Sequence, residues 1–344
     1  MGNLSITYSA PGRCGIVGNP SDMYGGSVIS CSTRERAYVT IEDYDALEFE
    51  VAGEVRTVKG PDDLRQDGRM FDAVLAAIEY FEIEKARIRI TVTSGIPVRA
   101  GLSGSTAVMT ALVAGLLEWM EEKGINSADK VIWGDKAYHN RYMLAEIVRH
   151  IELYFLKIVC GYQDAYMCAF GSLNLLDFAD KQHYLALDRE PLGIVENLAD
   201  YAPALPMVLA HSGVQRISGA VHKPVRDRWI EGDAAVVEGM LRLAHIARMS
   251  KLTIFRSDWE LLGEAMTENH EIIRSIGSSS EVNESIIKTA LDAGAIAAKL
   301  SGAGKGGTII ALNPEPGPMI EALKDAGVQS ILYPEPSDGV RKEG

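Results

Sequence analysis

The chain has 344 residues, of which 47% are hydrophobic and 24% are charged, and its formal net charge is −13. This composition is typical of a globular protein with a full core, and the length suggests two domains or one large domain with insertions. The acidic balance argues against a nucleic-acid partner, and no apolar stretch is long enough to span a bilayer. Four cysteines without metal-binding spacing, and an N-terminus without a secretion signal, predict a cytoplasmic protein with reduced thiols.

The predicted elements mix strands and helices along the whole chain. The first half is predicted to contain strands at 5–9, 27–33, 36–41 and 46–51 (the last two in a β-meander), a helix at 67–81, a strand at 87–93, a helix at 107–119, a mostly helical segment at 135–159 and a strand at 171–177. The second half is predicted to contain a strand at 206–211, helices near 218–230, 233–248, 257–275 and 281–293, two strands around 301–307, a helix at 319–326 and a last short strand. The proline-containing tract at 188–206 is the predicted junction between the halves, and we expect the polar tail after Pro334 to fray.

The most informative segment is the stretch from Ser94 to Ala107, which joins a predicted strand to a predicted helix. Between Gly101 and Thr106 it has two glycines and three hydroxyl side chains within six positions. Such a loop presents unpaired backbone N–H groups and the positive end of a helix dipole at one point. We therefore predict an anion site with phosphate as its ligand. The alternative is an ordinary strand-to-helix turn capped by Ser, which needs only one glycine and one hydroxyl.

Two better-known nucleotide motifs do not account for this loop. The pattern G-x-x-x-x-G-K-[ST] is absent from the sequence, and a formal G-x-G-x-x-G match lies far away, at Gly302, Gly304 and Gly307. A dinucleotide fingerprint must leave a strand and open a helix, whereas a β-like run follows this match. The pattern favours two strands with a glycine-rich connection, and a dinucleotide-binding fold is poorly supported.

Three glycine-rich segments, in order, carry a resemblance to a known family. They are Pro11-Gly12-Arg13 with Gly18, Asp22 and Gly25-Gly26, then Gly101-Leu-Ser-Gly-Ser-Thr-Ala107, then Leu300-Ser-Gly-Ala-Gly-Lys-Gly-Gly307. Together they resemble the three ordered motifs of the GHMP kinases, and the match covers nearly the whole chain. Within that family, segments 18–22 and 218–233 are similar to the plant-type glucuronokinases, which phosphorylate glucuronic acid at its anomeric hydroxyl.

The resemblance implies an α/β (α+β), two-domain GHMP kinase fold, with an N-terminal ribosomal-S5-like domain and a C-terminal ferredoxin-like-type domain. We expect the first domain over residues 1–190, the second over 200–335 and a frayed tail over 336–344. The resemblance also implies ATP and Mg²⁺ as cofactors and a small-molecule acceptor as the other partner, with no nucleic acid and no membrane. The oligomeric state is left open.

The resemblance assigns catalytic roles to Asp164 and Arg13. Asp164 lies in Cys160-Gly-Tyr-Gln-Asp-Ala, which resembles the family segment with the catalytic aspartate, and a carboxylate there can position a hydroxyl and accept its proton. Arg13 would lie near Asp164 and help to neutralise charge on the moving phosphoryl group. The alternatives are a helix cap for Asp164 and a surface arginine at a strand end for Arg13.

The remaining site residues are also implied by the resemblance. The ATP phosphates are expected at Gly101, Leu102, Ser103, Gly104, Ser105 and Thr106. Mg²⁺ is expected at Ser105 and Glu152, because Glu152 precedes Asp164 by 12 residues, as the metal-binding glutamate of galactokinases does. The substrate is expected at Asn19, Asp22, Gly25, Arg216, Gly302 and Gly304. A solvated helix face is the alternative for Glu152, an ordinary turn residue for Asp22 and an exposed loop residue for Arg216.

Departures from the family pattern and the charge of the cleft bear on the acceptor. Galactokinases carry Glu-His where this chain has Asn19-Pro20, which puts galactose in doubt. A uronate brings a negative charge into a cleft with two aspartates and the ATP phosphates, so its recognition needs dedicated cations. Arg216, Lys305 and Arg99 are the candidates, and Arg216 is preferred because a guanidinium matches a carboxylate bidentately.

Three functions remain open from the sequence. The first is an ATP- and Mg²⁺-dependent sugar 1-kinase that acts on a uronic acid or related hexose. The second is a GHMP kinase for another acceptor, such as a heptose phosphate, galactose or mevalonate. The third is a catalytically silent sugar sensor on the kinase fold, against which the joint presence of Asp164, Ser105 and Glu152 argues.

Overall fold

The computed structural model describes residues 4–125, 140–181, 191–202, 204–214, 218–302 and 307–344, and for 218–222 the backbone alone. The strands are β1 (Ser5–Val17), β2 (Ser27–Asp43), β3 (Glu48–Val51), β4 (Glu54–Thr57), β5 (Ile88–Ser94), β6 (Leu173–Asp177), β7 (Ile194–Asn197), β8 (Met207–His211), β9 (Ala297–Leu300), β10 (Thr308–Leu312), β11 (Ser330–Leu332) and β12 (Arg341–Lys342). The helices are α1 (Asp72–Phe81), α2 (Gly104–Glu122), α3 (Arg141–His150), α4 (Gln163–Phe170), α5 (Ser218–Ile230), α6 (Ala234–Arg256), α7 (Trp259–Ser275), α8 (Glu281–Asp292) and α9 (Gly317–Asp325).

The larger sheet has the order β12-β1-β2-β5-β3-β4, and β6 extends it by pairing with both β2 and β7. The long antiparallel pair of β1 and β2 is its centre, and among the described strands only β2 pairs with three others. Helix α2 is buried over most of its circumference, because it packs on β1 and β2 with α1, α3 and α4 around it. Across the described ranges, we find no helix with both the length and the apolar character that crossing a bilayer requires.

The smaller sheet has the order β11-β8-β10-β9, and every neighbouring pair in it is antiparallel. Numbered along the chain, this is the order 4-1-3-2 of a ferredoxin-like sheet. Helices α7 and α8 pack on its strands, and α6 packs on both α7 and β2 of the larger sheet. The predicted mixed α/β class is therefore confirmed, and the segment around 301–307 does connect two strands.

Several strand predictions need correction. β1 does not end at residue 9 but continues through Pro11-Gly12-Arg13 to Val17, because two shifts in register accommodate the irregular backbone. β2 unites the strands predicted at 27–33 and 36–41. The predicted β-meander is wrong, because β3 pairs with β5 in parallel and does not follow β2 as its antiparallel neighbour.

Helix boundaries differ as well. α2 begins at Gly104, three residues before the predicted start, and α1 begins at Asp72. The Asp72 carboxylate accepts N–H groups from the loop at 67–68, so those residues form a turn that precedes the helix. The segment predicted to be helical over 135–159 contains α3 and a π-helical turn, Ile151–Phe155. Its residues 135–139 lie outside the described ranges.

The tail predicted to fray over 336–344 is ordered by pairing with the larger sheet. β12 pairs with β1 in antiparallel register. Arg36 donates to the carbonyls of Asp338 at 2.6 Å and Gly339 at 2.7 Å. The tail is polar in its side chains, but its backbone covers the open hydrogen-bonding edge of β1. The predicted junction also contributes a strand, since β7 pairs with β6; the domain ranges 1–190 and 200–335 remain predictions.

Candidate active site

The three glycine-rich segments are in direct contact with one another. The Arg13 N–H donates to the Leu102 carbonyl at 3.1 Å, and the Gly15 N–H donates to the Ser301 carbonyl at 3.1 Å. A Cβ at Gly15 would lie 2.8 Å from that Ser301 oxygen, so glycine is required for this approach. The Thr308 hydroxyl also donates to the Ala100 carbonyl at 2.9 Å. β1 therefore holds the first motif against both the second and the third.

The start of α2 has the features of an anion site. Its first hydrogen bond runs from the Ala107 N–H to the Ser103 carbonyl at 2.8 Å, so the N–H groups of Gly104, Ser105 and Thr106 have no acceptor within the helix. Ser103 has a left-handed backbone, with φ of 59°, and its buried hydroxyl makes no hydrogen bond to the described residues. Unsatisfied donors at the positive end of a helix fit a phosphate group of ATP.

Arg13 joins the predicted base to the phosphate loop. Its Nε donates to Asp164 Oδ1 at 2.8 Å, and its Nη2 lies 2.6 Å from the same oxygen. Its Nη1 donates to the Gly101 carbonyl at 2.7 Å. The arginine side chain is buried, whereas that of Asp164 is 34% exposed, so the carboxylate is open on one side. The predicted contact between Arg13 and Asp164 is confirmed, and their catalytic roles remain predictions.

Asp22 fixes the start of the helix that carries Asp164. It lies in a 3₁₀ turn, Ser21–Tyr24, and its Oδ2 accepts the N–H groups of Tyr162 at 2.8 Å and Gln163 at 2.9 Å. These are the donors at the N-terminus of α4, which an aspartate caps well. Burial raises the pKa of Asp22, and the charge of Asp164 adds to this effect. Asp22 is thus placed beside the catalytic candidate, with one oxygen bound to the protein.

Glu152 is a buried carboxylate beside the phosphate loop. Its Oε1 accepts the hydroxyl of Thr106 at 2.7 Å, whereas the side chain of Ser105, its expected companion, is exposed. Burial, reinforced by the charge of Asp164, raises the pKa of Glu152 to about 7. A divalent cation would offset the repulsion between the Glu152 and Asp164 carboxylates. The side-chain oxygens of Ser105, Thr106 and Glu152 are of the type that Mg²⁺ prefers. The described residues hold no cluster of three His, Cys, Asp or Glu that forms a metal site unaided.

Asn19 makes its side-chain contacts with β9 and with the third motif that follows it. Its Oδ1 accepts from Lys299 Nζ at 2.9 Å, and its Nδ2 donates to the Ser301 carbonyl at 3.5 Å. Asn269, on α7, accepts the Gly18 N–H at 2.7 Å and donates to the Asn19 carbonyl at 3.3 Å. Lys299 and Asn269 belong to no motif that the sequence analysis singled out. The only signal for Lys299 was a lysine inside a short apolar run, and Asn269 had none.

The other expected site residues are distributed as follows. Gly25 ends the 3₁₀ turn with φ of 76°, Leu102 is buried, and Gly302 is half-buried directly after Ser301. Arg99 is exposed in the loop before α2. Arg216, Gly304 and Lys305 lie outside the described residues. Of the three candidate cations for an acidic acceptor, only Arg99 is therefore placed.

The fold and the site together define a class of protein, the small-molecule kinases. The sequence matches the GHMP kinases N terminal domain over residues 70–172 and the GHMP kinases C terminal region over residues 251–329. The chain belongs to the GHMP kinase family, and it is a phosphotransferase with an alcohol group as acceptor. Members of this family use ATP as the phosphate donor, typically with Mg²⁺.

Similar proteins act on different acceptors. Glucuronokinase 1 of Arabidopsis thaliana is 25% identical over 346 residues, which cover 93% of this chain and 88% of that protein. Mevalonate kinase of Pyrococcus horikoshii is 26% identical over 361 residues, with 98% of each chain covered. The solved structure of a D-glycero-D-manno-heptose 1-phosphate kinase from Bacteriodes thetaiotaomicron has a TM-score of 0.70 at 21% identity, covering 98% of this chain and 99% of that one. The similarity establishes a GHMP-family small-molecule kinase, and the acceptor has to be argued from the site.

Proposed function

We propose that the protein uses ATP and Mg²⁺ to phosphorylate the anomeric hydroxyl of a uronic acid or a related hexose. The observation that carries this proposal is the position of Arg13, which binds Asp164 through Nε and Nη2 and the Gly101 carbonyl through Nη1. One guanidinium thereby fixes the distance between the acceptor-side carboxylate and the donor-side loop. Phosphoryl transfer depends mainly on such positioning and on electrostatic stabilisation.

The donor side would be held by the start of α2. The N–H groups of residues 104–106 and the Ser103 hydroxyl would bind the phosphates, and Ser105, Thr106 and Glu152 would supply oxygen ligands to the metal. When bound, ATP supplies the phosphoryl group and Mg²⁺ offsets part of its charge. The left-handed backbone of Ser103 turns the chain so that the first N–H groups of α2 lie at the loop.

The acceptor side would be organised by Asp164. Both contacts with Arg13 go to Oδ1, which leaves Oδ2 for the acceptor hydroxyl. Oδ2 would orient the hydroxyl and receive its proton while the hydroxyl oxygen takes up the phosphoryl group and ADP departs with the oxygen of the broken bond. Arg13 stays beside the Asp164 carboxylate and stabilises the negative charge that develops between donor and acceptor. Asp22 holds the helix start in place through Tyr162 and Gln163.

The likeness to glucuronokinases supports a uronate as the acceptor, with Arg216 as the proposed partner of its carboxylate. The similarity to mevalonate kinases supports a second candidate, a GHMP kinase for another acceptor. A silent sensor is disfavoured by the Arg13–Asp164 pair and the buried Glu152, which serve no purpose in binding a neutral sugar alone. The four cysteines are free thiols, which supports the expected cytoplasmic location.

A coupled assay of ADP release tests the proposal directly. The acceptors are glucuronate, glucose, galactose, a heptose phosphate and mevalonate, each with and without Mg²⁺. Glucuronate should give the highest kcat/KM, and turnover should require the metal. A higher kcat/KM with glucose would overturn the uronate assignment but not the kinase assignment.

The same assay tests the proposed carboxylate partner. Arg216→Ala should lower kcat/KM for glucuronate much more than for glucose, because only the uronate carries the carboxylate. Arg87→Ala, in which an exposed arginine directly before β5 is changed, serves as the control for loss of one positive charge away from the site loops. Equal losses with glucuronate and glucose would show that Arg216 does not recognise the carboxylate.

A further inference from the structure

Lys299 is a fully buried amine at the joint between the first and third motifs. It lies on β9, and its Nζ donates to Asn19 Oδ1 at 2.9 Å and to the Leu300 carbonyl at 2.6 Å. Both acceptors are neutral, and no carboxylate in the described ranges forms an ion pair with it. Burial, with the like charge of Arg13 adding to it, lowers the pKa of Lys299 to about 7. A buried lysine without a counter-ion reduces stability, so its presence calls for a reason other than stability.

One of the two hydrogen bonds of Lys299, the one to Asn19 Oδ1, acts on the turn after β1, whereas the other goes to the carbonyl of Leu300 on β9 itself. Asn269 binds the same turn from α7, through the Gly18 N–H at 2.7 Å and the Asn19 carbonyl at 3.3 Å. Gly18 has φ of 91°, and a Cβ there would lie 2.3 Å from the Ser27 carbonyl. The turn is therefore packed against β2 and α6 at Gly18, and its hydrogen bonds to β9 and α7 hold it from the other elements.

The turn leads directly to the residue that orders α4. Three residues after Asn19, Asp22 accepts the N–H groups of Tyr162 and Gln163, and Asp164 is the next residue of that helix. We expect a displacement of the turn to move Asp22 and to weaken its hydrogen bonds to the start of α4. Lys299 is thus connected to the helix that carries the proposed base by its hydrogen bond to Asn19, by the backbone from Asn19 to Asp22, and by the hydrogen bonds of Asp22 to the start of α4.

We propose that Lys299 is a positioning residue for Asp164. It acts from β9 through the Asn19 turn and Asp22. This inference rests on the proposed kinase function for its effect on turnover, but its structural part does not. It assigns to β9 a role in setting the acceptor side of the site. Lys299 itself touches neither the donor loop nor the carboxylate of Asp164 in the described contacts.

The test compares Lys299→Met with the parent and with Lys288→Met, in which an exposed lysine on α8 is changed instead. Hydrogen exchange at the Tyr162 and Gln163 amides should be about tenfold faster in Lys299→Met, because Asp22 no longer holds them. Turnover should fall about 10- to 100-fold with a small change in KM for ATP, because the acceptor side is displaced and the start of α2 is not. Lys288→Met should match the parent in both measurements.

Each result decides the inference. Unchanged exchange at these two amides in folded Lys299→Met would overturn it, whatever the turnover. Faster exchange in a protein whose parent phosphorylates none of the acceptors would support the positioning role and refute the proposed acceptor. If Lys299→Met does not fold, Asn19→Ala, which removes the acceptor of Lys299 on the turn, takes its place. It must then give the same increase in exchange, and an unchanged rate would again refute the inference.

Discussion

Replacement of Glu152 by glutamine is expected to change how the stability of the unliganded protein depends on pH. Glu152 has a pKa of about 7 in the folded protein against an ordinary value of 4.5. Between these values the folded state keeps a proton that the unfolded state has released. The carboxyl therefore favours folding most below pH 4.5, and this advantage is lost as the pH rises to 7. At about 1.4 kcal/mol per pH unit, the loss is roughly 3 kcal/mol.

The variant has to be compared with the parent because other groups titrate in the same range. Burial lowers the pKa of His150, His211 and His270, so these groups favour folding more as the pH rises towards 6.5. Glutamine does not titrate and keeps an oxygen for the Thr106 hydroxyl. The difference between parent and Glu152→Gln thus isolates the carboxyl, while the histidine contributions cancel.

Urea denaturation at several pH values, without nucleotide or divalent metal, measures this difference. The two proteins should be about equally stable at pH 5, and Glu152→Gln should be more stable by up to roughly 3 kcal/mol at pH 8. Glu79→Gln, an exposed change on α1, should show no such trend. A difference that is constant with pH, or that favours the parent at pH 8, would refute the argument that Glu152 is a buried, destabilising charge.

Three further predictions concern catalysis, helix capping and the metal. Asp164→Asn should lower kcat by about 10²- to 10⁴-fold with KM for ATP little changed, and steady-state kinetics with less than a threefold loss would contradict its role as the base. Asp22→Ala should lower the free energy of unfolding by about 1–3 kcal/mol, because two N–H groups of α4 lose their acceptor, whereas Asp22→Asn, which keeps an oxygen, should lose much less. Equal losses in urea denaturation would argue against capping. EDTA should abolish turnover and added Mg²⁺ should restore it, and activity that survives chelation would exclude the proposed metal.

The resemblance carried by the three glycine-rich segments was sufficient to predict the fold class and to assign residues of all three segments to one site. Glycines and small hydroxyl residues are required where backbones approach closely, as Gly15 does at Ser301, and this requirement appears in the sequence as motifs. The predicted start of α2 was three residues too late. The helix begins at Gly104, because the left-handed conformation of Ser103 ends the loop there.

Other features depend on partners that are remote in sequence. Lys299 binds a residue 280 positions away, and Asn269 binds one 250 positions away, so no local pattern marks either. Alternation of apolar residues predicts a strand but is the same in parallel and antiparallel pairs, and the parallel pairing of β3 with β5 was therefore missed. The frayed tail was predicted from its polar side chains. The tail is held instead through its backbone, since the carbonyls of Asp338 and Gly339 accept hydrogen bonds from Arg36, and the polarity of side chains does not indicate such contacts.

The pairing of β12 with β1 has a consequence for the order in which the protein is built. The ribosome makes β1 before every strand of the smaller sheet and β12 only after all of them. Until then one edge of β1 has no partner in the chain, and an open edge invites pairing with another molecule. The residue before β12 also covers the end of α4, because the Val340 N–H donates to the Ala169 carbonyl at 3.2 Å. A nascent chain thus completes its larger sheet, and covers the helix of Asp164, only after the smaller sheet has been synthesised.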